Sequence, residues 1–144
     1  YTRITEAAGP GEIIPMLNDY ADAVISAVHA KGGDVLKLIG DGILAMFTAD
    51  NLEIAGRAAL AAAKSARRDI AVLNRRRSAE SLPVTEMYLG LHVGEVYYGN
   101  VGSTERLDFT VVGPAVNEAS RIAAMCRLVE QHKRRAAAGA AASG

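Results

Sequence analysis

Asp41 is the polar residue whose position most suggests chemistry. It lies between two glycines and two apolar runs, on a turn that could lift a carboxylate clear of a sheet. Mg²⁺ prefers hard oxygen ligands and is usually held by one or two carboxylates together with substrate phosphates. Asp-Gly is also a common turn pair. The spacing therefore predicts either a metal ligand or a turn aspartate that binds nothing.

Two further features carry polar groups that could bind a ligand. Lys37 interrupts an apolar run four residues before Asp41, so its ammonium must reach solvent, a partner or a ligand. Asn117 and Arg121 are four apart in a predicted helix and therefore share a face. An amide and a guanidinium together could orient a ribose and offset charge on a phosphate. The simpler alternatives are an exposed strand lysine and an exposed polar stripe.

Composition narrows the classes of function. The 144 residues suit one domain, and 16 basic against 16 acidic residues argue against nucleic acid or an anionic membrane as the main partner. The single cysteine, Cys126, predicts a reducing compartment and a small, buried apolar side chain. No apolar run approaches the roughly 20 residues of a membrane span. We expect a soluble, cytoplasmic segment, whose parent protein could still carry an anchor elsewhere.

Familiar catalytic motifs are missing from the sequence. It contains no Walker-type phosphate loop, zinc-ligand spacing or nucleophile elbow. The three histidines, His29, His92 and His132, are scattered and predict no metal cluster.

The first half of the chain reads as helix, hairpin and helix. Apolar residues at three- and four-residue steps predict an amphipathic helix over 12–31, with Pro15 in its first turn and Gly32 at its end. The apolar runs 35–39 and 43–47, joined through Gly-Asp-Gly, predict a tight β-hairpin. Asn51 is a candidate cap for a second helix that extends to about residue 77.

The second half reads as strands and a third helix. The pattern in residues 87–101 predicts two strands with a turn or one bent strand. Residues 109–112 predict another strand, and residues 115–128 predict a helix with Pro114 in its first turn. The order predicts an α+β sandwich, a mainly antiparallel sheet with helices on one face. We assign residues 1–128 to one domain. The alanine- and glycine-rich stretch in 129–144 predicts a disordered tail.

Taken together, five ordered stretches make the chain similar to the catalytic domains of class III adenylyl and guanylyl cyclases. The resemblance covers about residues 1–127 without a break. The stretches are Leu36–Phe47 (LKLIGDGILAMF), Gly90–Val96 (GLHVGEV), Gly99–Ser103 (GNVGS), Leu107–Gly113 (LDFTVVG) and Val116–Arg121 (VNEASR).

The resemblance implies a ferredoxin-like core, a head-to-tail homodimer with sites between the domains, and conversion of ATP to 3′,5′-cyclic AMP and pyrophosphate. It implies two Mg²⁺ or Mn²⁺ ions at each complete site. A threonine at the purine-selecting position is similar to the bacterial subgroup that uses ATP. By this resemblance, Asp41 binds metal, and Lys37 and Thr110 contact the purine. Asn117 and Arg121 orient the ribose and stabilise the transition state, and Arg106 contacts phosphate.

The chain departs from the family pattern at both ends. The family's other metal-binding aspartate lies on a strand just before a Gly-Phe-Thr-like tripeptide, and Tyr1-Thr2 resembles the end of that tripeptide. Family members also continue past the third helix with further strands. We therefore expect little activity from this chain, and a catalytically silent nucleotide-binding or dimerisation domain is the alternative. The stretch Gly32-Gly33-Asp34 also resembles a diguanylate cyclase signature, but it precedes the strand rather than forming the turn.

Overall fold

The structure is a computed structural model that describes residues 2–4 and 9–142. Three helices and six short strands alternate along these residues. In chain order they are β1 (Thr2–Ile4), α1 (Pro10–Ala30), β2 (Asp34–Ile39), β3 (Gly42–Met46), α2 (Leu52–Ala79), β4 (Thr85–Met87), β5 (Tyr97–Gly102), β6 (Leu107–Val112) and α3 (Pro114–Ala142). This order confirms the predicted α+β class.

The described strands pair antiparallel in three separate ladders, β1 with β4, β2 with β3, and β5 with β6. Strand β2 also contacts β6, which brings the two hairpins side by side. The prediction of antiparallel pairing is therefore confirmed. A single continuous sheet does not form from the described strands alone.

Helix α1 begins two residues earlier than its periodicity predicts. Pro10 takes the first helical position, where a missing N–H costs nothing, and the Gly9 N–H donates to Glu12 Oε2 at 3.1 Å. Pro15 therefore lies inside the helix rather than in its first turn. The carbonyl that would have bonded to Pro15 belongs to Gly11, which is exposed, so the break is tolerated in the outermost turn.

The end of α1 forms as predicted, through two glycines. Gly32 has a φ of +76°, which side chains disfavour. Its N–H donates to His29 O, and the Gly33 N–H donates to Val28 O, each at 3.0 Å. These two bonds form a Schellman motif and turn the chain directly into β2.

The core lies between α1 and α2. Buried side chains from both helices form one cluster, against which β2 and β3 pack through half-buried apolar residues. The cluster consists of Tyr20, Val24, Ala27, Val28, Ala66, Ile70 and Leu73. Alanine on α2 allows the two helices to approach closely, so this small domain acquires a packed centre.

Two polar side chains of α2 fix the chain that leads into β4. Asn74 Nδ2 donates to Thr85 O at 2.6 Å, and the Thr85 N–H donates back to Asn74 Oδ1 at 3.2 Å. Arg77 is buried; it donates to Pro83 O at 2.7 Å and to Asp19 Oδ2 on α1 at 2.8 Å. Buried polar groups need such partners, and these bonds tie α1, α2 and β4 together.

Two predictions about element boundaries need correction. Residues 88–96 lie in none of the three ladders, so the strand predicted from 87 onward is interrupted for nine residues. The predicted disordered tail is helical as far as Ala142, because α3 continues through the alanine-rich stretch. Alanine has the highest helix propensity, and Arg134 anchors this part of α3 through an ion pair with Glu86. That pair also raises the pKa of Arg134.

None of the helices in the described part of the chain combines the length and apolar character that a bilayer crossing requires.

Candidate active site

The β2–β3 hairpin positions Lys37 and Asp41. Gly40 and Asp41 form its two-residue loop, and Gly40 has a φ of +60°, as a type II′ turn requires at its first central residue. Lys37 lies opposite Leu44, immediately after a bulge at Leu36 where the register shifts. A bulge re-aims the side chains that follow it. Lys37 is exposed and Asp41 is half-buried at the hairpin tip.

Strand β6 positions Thr110 opposite Gly99 of β5. The Thr110 hydroxyl is buried and has no hydrogen-bond partner among the described residues. A buried hydroxyl without a partner is costly and unusual in a native protein. Because β6 contacts β2, the strands of Thr110 and Lys37 lie next to each other.

Helix α3 positions Asn117 and Arg121 directly after β6. Gly113 makes the junction with a φ of +142°, and a Cβ there would lie 3.2 Å from the Glu95 carbonyl. Both site residues are exposed and lie on one helical face, as predicted. Arg121 donates to Glu118 Oε2 at 3.3 Å across an exposed surface, an ion pair too weak to hold the guanidinium in place.

Arg106 lies at the other end of β6, in the turn of the β5–β6 hairpin. The Ser103 N–H donates to Arg106 O at 2.9 Å, and the Arg106 guanidinium lies 3.5 Å from Asp108. A six-residue strand spans about 20 Å. Within one chain, Arg106 is therefore remote from the start of α3, while the other five candidate residues lie on adjoining elements.

The part of the chain that the structure describes does not bring a large cluster of metal-ligating side chains together. Within 2–4 and 9–142, no group of three or more His, Cys, Asp or Glu side chains is close enough to hold an ion. Asp41 fits a Mg²⁺ ion held largely by phosphates and water, since such ions need only one or two protein carboxylates. It does not by itself fit a site for two ions, which requires ligands shared between them.

A deep apolar trench lies apart from these polar residues. It has a cavity volume of about 260 Å³, and it is walled by β3 on one side and by residues 89–96 on the other. All three helices contribute to its lining. Among the residues that the structure describes, His92 is the only titratable one that lines it, and none of the six candidate site residues does. Its apolar lining does not suit a charged nucleotide. We therefore place the candidate active site at the polar hairpins and not in this cavity.

Sequence reasoning did not anticipate the trench, because five separate segments supply its lining. The one local signal is the run of small residues on α2, including Ala59, Ala62 and Ala63, which leaves space beside the sheet.

The sequence matches one family of known proteins over most of its length. The model of the family described as "Adenylate and Guanylate cyclase catalytic domain" matches residues 1–130. An adenylate cyclase of Anabaena cylindrica is 40% identical over 126 residues, which are 85% of this chain and 24% of that protein. Adenylate cyclase 1 of Rhizobium meliloti (strain 1021) is 34% identical over 130 residues, 87% of this chain and 19% of that protein. The chain thus spans about a fifth to a quarter of the length of these relatives.

Solved structures show the same similarity in three dimensions. The guanylyl cyclase Cya2 superposes with a TM-score of 0.75 at 30% identity, covering 83% of this chain and 61% of that one. A bacterial light-regulated adenylyl cyclase superposes with a TM-score of 0.70 at 31% identity, covering 88% of this chain and 39% of that one. Both structures share the α+β sandwich, which agrees with the predicted fold class.

Proposed function

Because this chain belongs to the adenylate and guanylate cyclase catalytic domain family, we propose that it converts ATP to 3′,5′-cyclic AMP and pyrophosphate. The observation that carries this proposal is the arrangement of the two hairpins. The strand of Lys37 lies against the strand of Thr110, whose buried hydroxyl has no partner in the described residues. A purine edge would supply the missing hydrogen bond.

The pairing of lysine with threonine favours adenine over guanine. Lysine has donors only, so Lys37 suits the N1 acceptor of adenine and opposes the N1–H of guanine. The Thr110 hydroxyl can both donate and accept, so it can accept from the adenine amino group. Guanine would instead favour a carboxylate at the position of Lys37. Both curated relatives described above are named adenylate cyclases, which supports the same choice.

The proposed reaction is an intramolecular displacement at phosphorus. The ribose 3′-oxygen attacks the α-phosphorus and gives up its proton to solvent water. A new O3′–P bond forms, the bond to the bridging oxygen breaks, and pyrophosphate leaves. Asn117 would hold the ribose in position, and Arg121, one turn further along α3, would offset the charge that develops on the phosphate. The weak exposed pair with Glu118 leaves Arg121 able to reorient toward a phosphate.

A bound Mg²⁺ or Mn²⁺ would lower the pKa of the attacking hydroxyl and neutralise phosphate charge, with Asp41 as a ligand. Within the part of the chain that the structure describes, Asp41 is not part of a group of three or more His, Cys, Asp or Glu side chains. A second ion would need a further carboxylate beside Asp41.

A second copy of the chain is the proposed partner, in a head-to-tail homodimer. Lys37, Asn117 and Arg121 are exposed in the single chain. The β5–β6 hairpin beside them exposes Tyr98 and Phe109, whose ring centroids lie 6.1 Å apart. Contiguous apolar surface of this kind marks an interaction site. Within one chain, the length of β6 separates Arg106 from the start of α3. In a site shared between two copies, Arg106 of one copy could instead reach phosphates that are bound mainly by residues of the other copy.

The second candidate function is a catalytically silent domain that binds nucleotide or only dimerises. The lack of a carboxylate cluster among the described residues favours it for the chain as given. A sensitive assay of cyclic nucleotide formation with Mn²⁺ separates the two functions. Cyclic AMP formation above a no-enzyme control supports the cyclase, and nucleotide binding without product supports the silent domain.

Substitution of Asp41 tests the metal assignment. We expect Asp41→Ala to reduce metal-dependent turnover of ATP by more than about a hundredfold, since disturbing even the support of a ligand costs roughly 10–100-fold. The fold should persist, because the residue sits on a turn. Asp22→Ala, which removes an exposed carboxylate from α1, is the control and should leave turnover unchanged. Full activity of Asp41→Ala at saturating Mg²⁺ would exclude this role.

Mixing two inactive variants tests the shared site. Asp41 of one copy should face Asn117 of the other. A heterodimer of Asp41→Ala with Asn117→Ala would then contain one intact site out of two. In an equimolar mixture that assorts at random, about half of the dimers are heterodimers, so the mixture should regain about a quarter of the activity of the unsubstituted chain. A mixture that remains inactive despite heterodimers verified by mass spectrometry would refute the shared site.

Comparing the turnover of GTP and ATP tests the purine assignment. GTP turned over as fast as ATP would refute it.

A further inference from the structure

The outer face of α2 gathers basic side chains along one line. Each residue of an α-helix lies about 100° further round the axis than the residue before it. Within a sector of about 120°, on the side of α2 opposite its buried residues, five basic side chains are exposed. We call them the basic stripe: Arg57, Lys64, Arg67, Arg68 and Arg75.

The charge of the basic stripe is only partly neutralised. Glu53, in the first turn of α2, pairs with Arg57 at 2.7 Å. Asp69 lies on the flank of the helix and approaches Arg68 only to 3.7 Å. Exposed pairs of this kind hold their partners weakly. Three members of the stripe form no ion pair within the part of the chain that the structure describes: Lys64, Arg67 and Arg75.

The zero net charge of the chain conceals this asymmetry. Helix α1, which packs against α2, contains no Lys or Arg, and its carboxylates are Glu12, Asp19 and Asp22. The excess of positive charge therefore belongs to one surface. Composition argues against an anionic membrane as a partner through the sum of the charges, but binding to a surface depends on how the charges are distributed.

The geometry of the basic stripe suits a flat anionic surface. The stretch from Arg57 to Arg75 spans about 27 Å in a straight line, so a plane can approach all its members at once. Among them lies Leu60, which is 48% exposed. An apolar side chain among cations suits the headgroup region of a bilayer, where the methylene stems of Lys and Arg are also accommodated.

The same sector is less suited to a nucleic acid. Its remaining positions between Arg57 and Ala79 hold alanine and serine, apart from Leu60. Sequence reading requires side chains such as Asn and Gln, and single strands bind largely by stacking on aromatic rings. The sector provides neither, so we favour a lipid surface as the occupant.

We propose that the basic stripe of α2 binds the surface of a lipid bilayer that contains anionic headgroups. The helix lies parallel to the membrane plane, its cations contact the headgroups, and Leu60 reaches between them. The buried face of α2 remains in the core, so no segment crosses the bilayer. Helix α2 carries none of the six candidate site residues. The interaction therefore requires no nucleotide or metal and is independent of the proposed cyclase activity.

Co-sedimentation of the intact chain with vesicles tests the proposal. One set of vesicles is phosphatidylcholine alone, and the other contains about one third phosphatidylserine. We expect partitioning onto the anionic vesicles to be at least about a hundredfold stronger, since each Lys or Arg near such a surface contributes about fivefold. Raising the salt from about 0.1 M to about 1 M shortens the screening length from about 10 Å to about 3 Å, and binding should fall more than tenfold.

Two double variants with equal net charge locate the binding. Lys64→Gln with Arg75→Gln removes two unpaired members of the stripe and should weaken partitioning about twentyfold. Lys133→Gln with Arg135→Gln removes the same charge from exposed positions near the end of α3 and should change partitioning less than about threefold. Circular dichroism verifies that both variants are folded.

Four results would overturn the proposal. They are no binding to the anionic vesicles, equal binding to both vesicle types, equal losses in the two double variants, and tighter binding to a short DNA duplex than to anionic vesicles at the same salt. Binding that requires phosphatidylserine, falls with salt and is lost selectively in the stripe variant would support it.

Leu60→Ser sharpens the test of a bilayer as the occupant. It removes the exposed apolar side chain and leaves every charge in place, so it should weaken partitioning onto anionic vesicles by about threefold or more. Its binding to a charged but lipid-free surface, cation-exchange resin, should be unchanged. An equal effect of Leu60→Ser on both surfaces, or none on the vesicles, would contradict the contact of Leu60 with lipid.

Discussion

The two halves of the molecule differ in how far they bury their apolar residues. In the helical core, defined as the buried cluster of α1 and α2, Ile70 and Tyr20 are almost inaccessible to solvent, at 4% and 3% of their surface. In the site hairpin, defined as β5 and β6, Phe109 remains 50% exposed and Tyr98 61% exposed. The two rings meet at the surface, with centroids 6.1 Å apart.

This difference separates the helical core, which stabilises the fold, from the site hairpin, which is proposed to bind the nucleotide. The helical core buries its cluster of side chains within one chain. The site hairpin carries Thr110, and α3 with Asn117 and Arg121 follows it directly. A site that is completed by a partner chain is expected to leave apolar surface exposed in the single chain, and such surface lies beside the candidate site residues. The contrast predicts that substitutions in the core change folding, whereas substitutions in the hairpin change association.

The largest effect is expected at Ile70. Ile70→Ala removes a side chain that is 4% exposed in the middle of the cluster, and such changes cost about 2–5 kcal/mol. The free energy of unfolding in urea should fall by that amount, and Tm should fall on the order of 10 °C. Val72→Ala, on the exposed side of the same helix, is the control and should change stability by less than about 0.5 kcal/mol. Similar losses for both variants would contradict the location of the core.

An intermediate effect is expected at Gly90, where residues 88–96 pack against α3. A Cβ at this position would lie 2.4 Å from Ala119 O and 2.7 Å from Ala123 N, so Gly90→Ala forces α3 away from residues 88–96. Overpacking of this kind costs about 1–3 kcal/mol. At Gly99, a Cβ meets no atom within 4 Å, so Gly99→Ala should be nearly neutral. Denaturation curves of the two variants measure the difference, and a neutral Gly90→Ala would show that α3 does not pack this closely.

The smallest effect on folding is expected in the site hairpin. Phe109→Ala removes a half-exposed ring and one aromatic contact, and the unfolding free energy of the monomer should fall by less than about 1 kcal/mol. Self-association should weaken more, by about tenfold or above if the ring is buried between copies.

Analytical ultracentrifugation over a concentration series measures this association. The comparison of the two halves would fail if Phe109→Ala unfolded the chain as readily as Ile70→Ala, or if it changed neither stability nor association.

The helices and the hairpins could be predicted because their signals are local. Asn51 caps α2 through its own side chain, with Oδ1 accepting from the Glu53 N–H at 2.7 Å. Gly40 and Asp41 form the predicted tight turn. Asn117 and Arg121 share a helical face simply because they are four residues apart on α3. Each of these features depends on groups within a few residues of one another, so the sequence alone determines them.

Other features depend on residues that are far apart in the sequence. Arg77 is buried because Asp19, 58 residues away, accepts its hydrogen bond. The Thr110 hydroxyl loses its access to water only when β6 packs within the fold. The interruption over 88–96 follows from the absence of a partner strand beside those residues in the described ladders. Propensity and periodicity cannot report such events, because they carry no information on distant neighbours.

The sequence by itself determined the order of the elements, the turn that presents Asp41 and the helical face that presents Asn117 and Arg121. The tertiary structure decided which strands lie side by side, which polar groups are buried and where an apolar trench remains. The physical reason is the range of the forces involved. Hydrogen bonds of turns and caps act between near neighbours along the chain, whereas burial depends on every segment that the fold brings together.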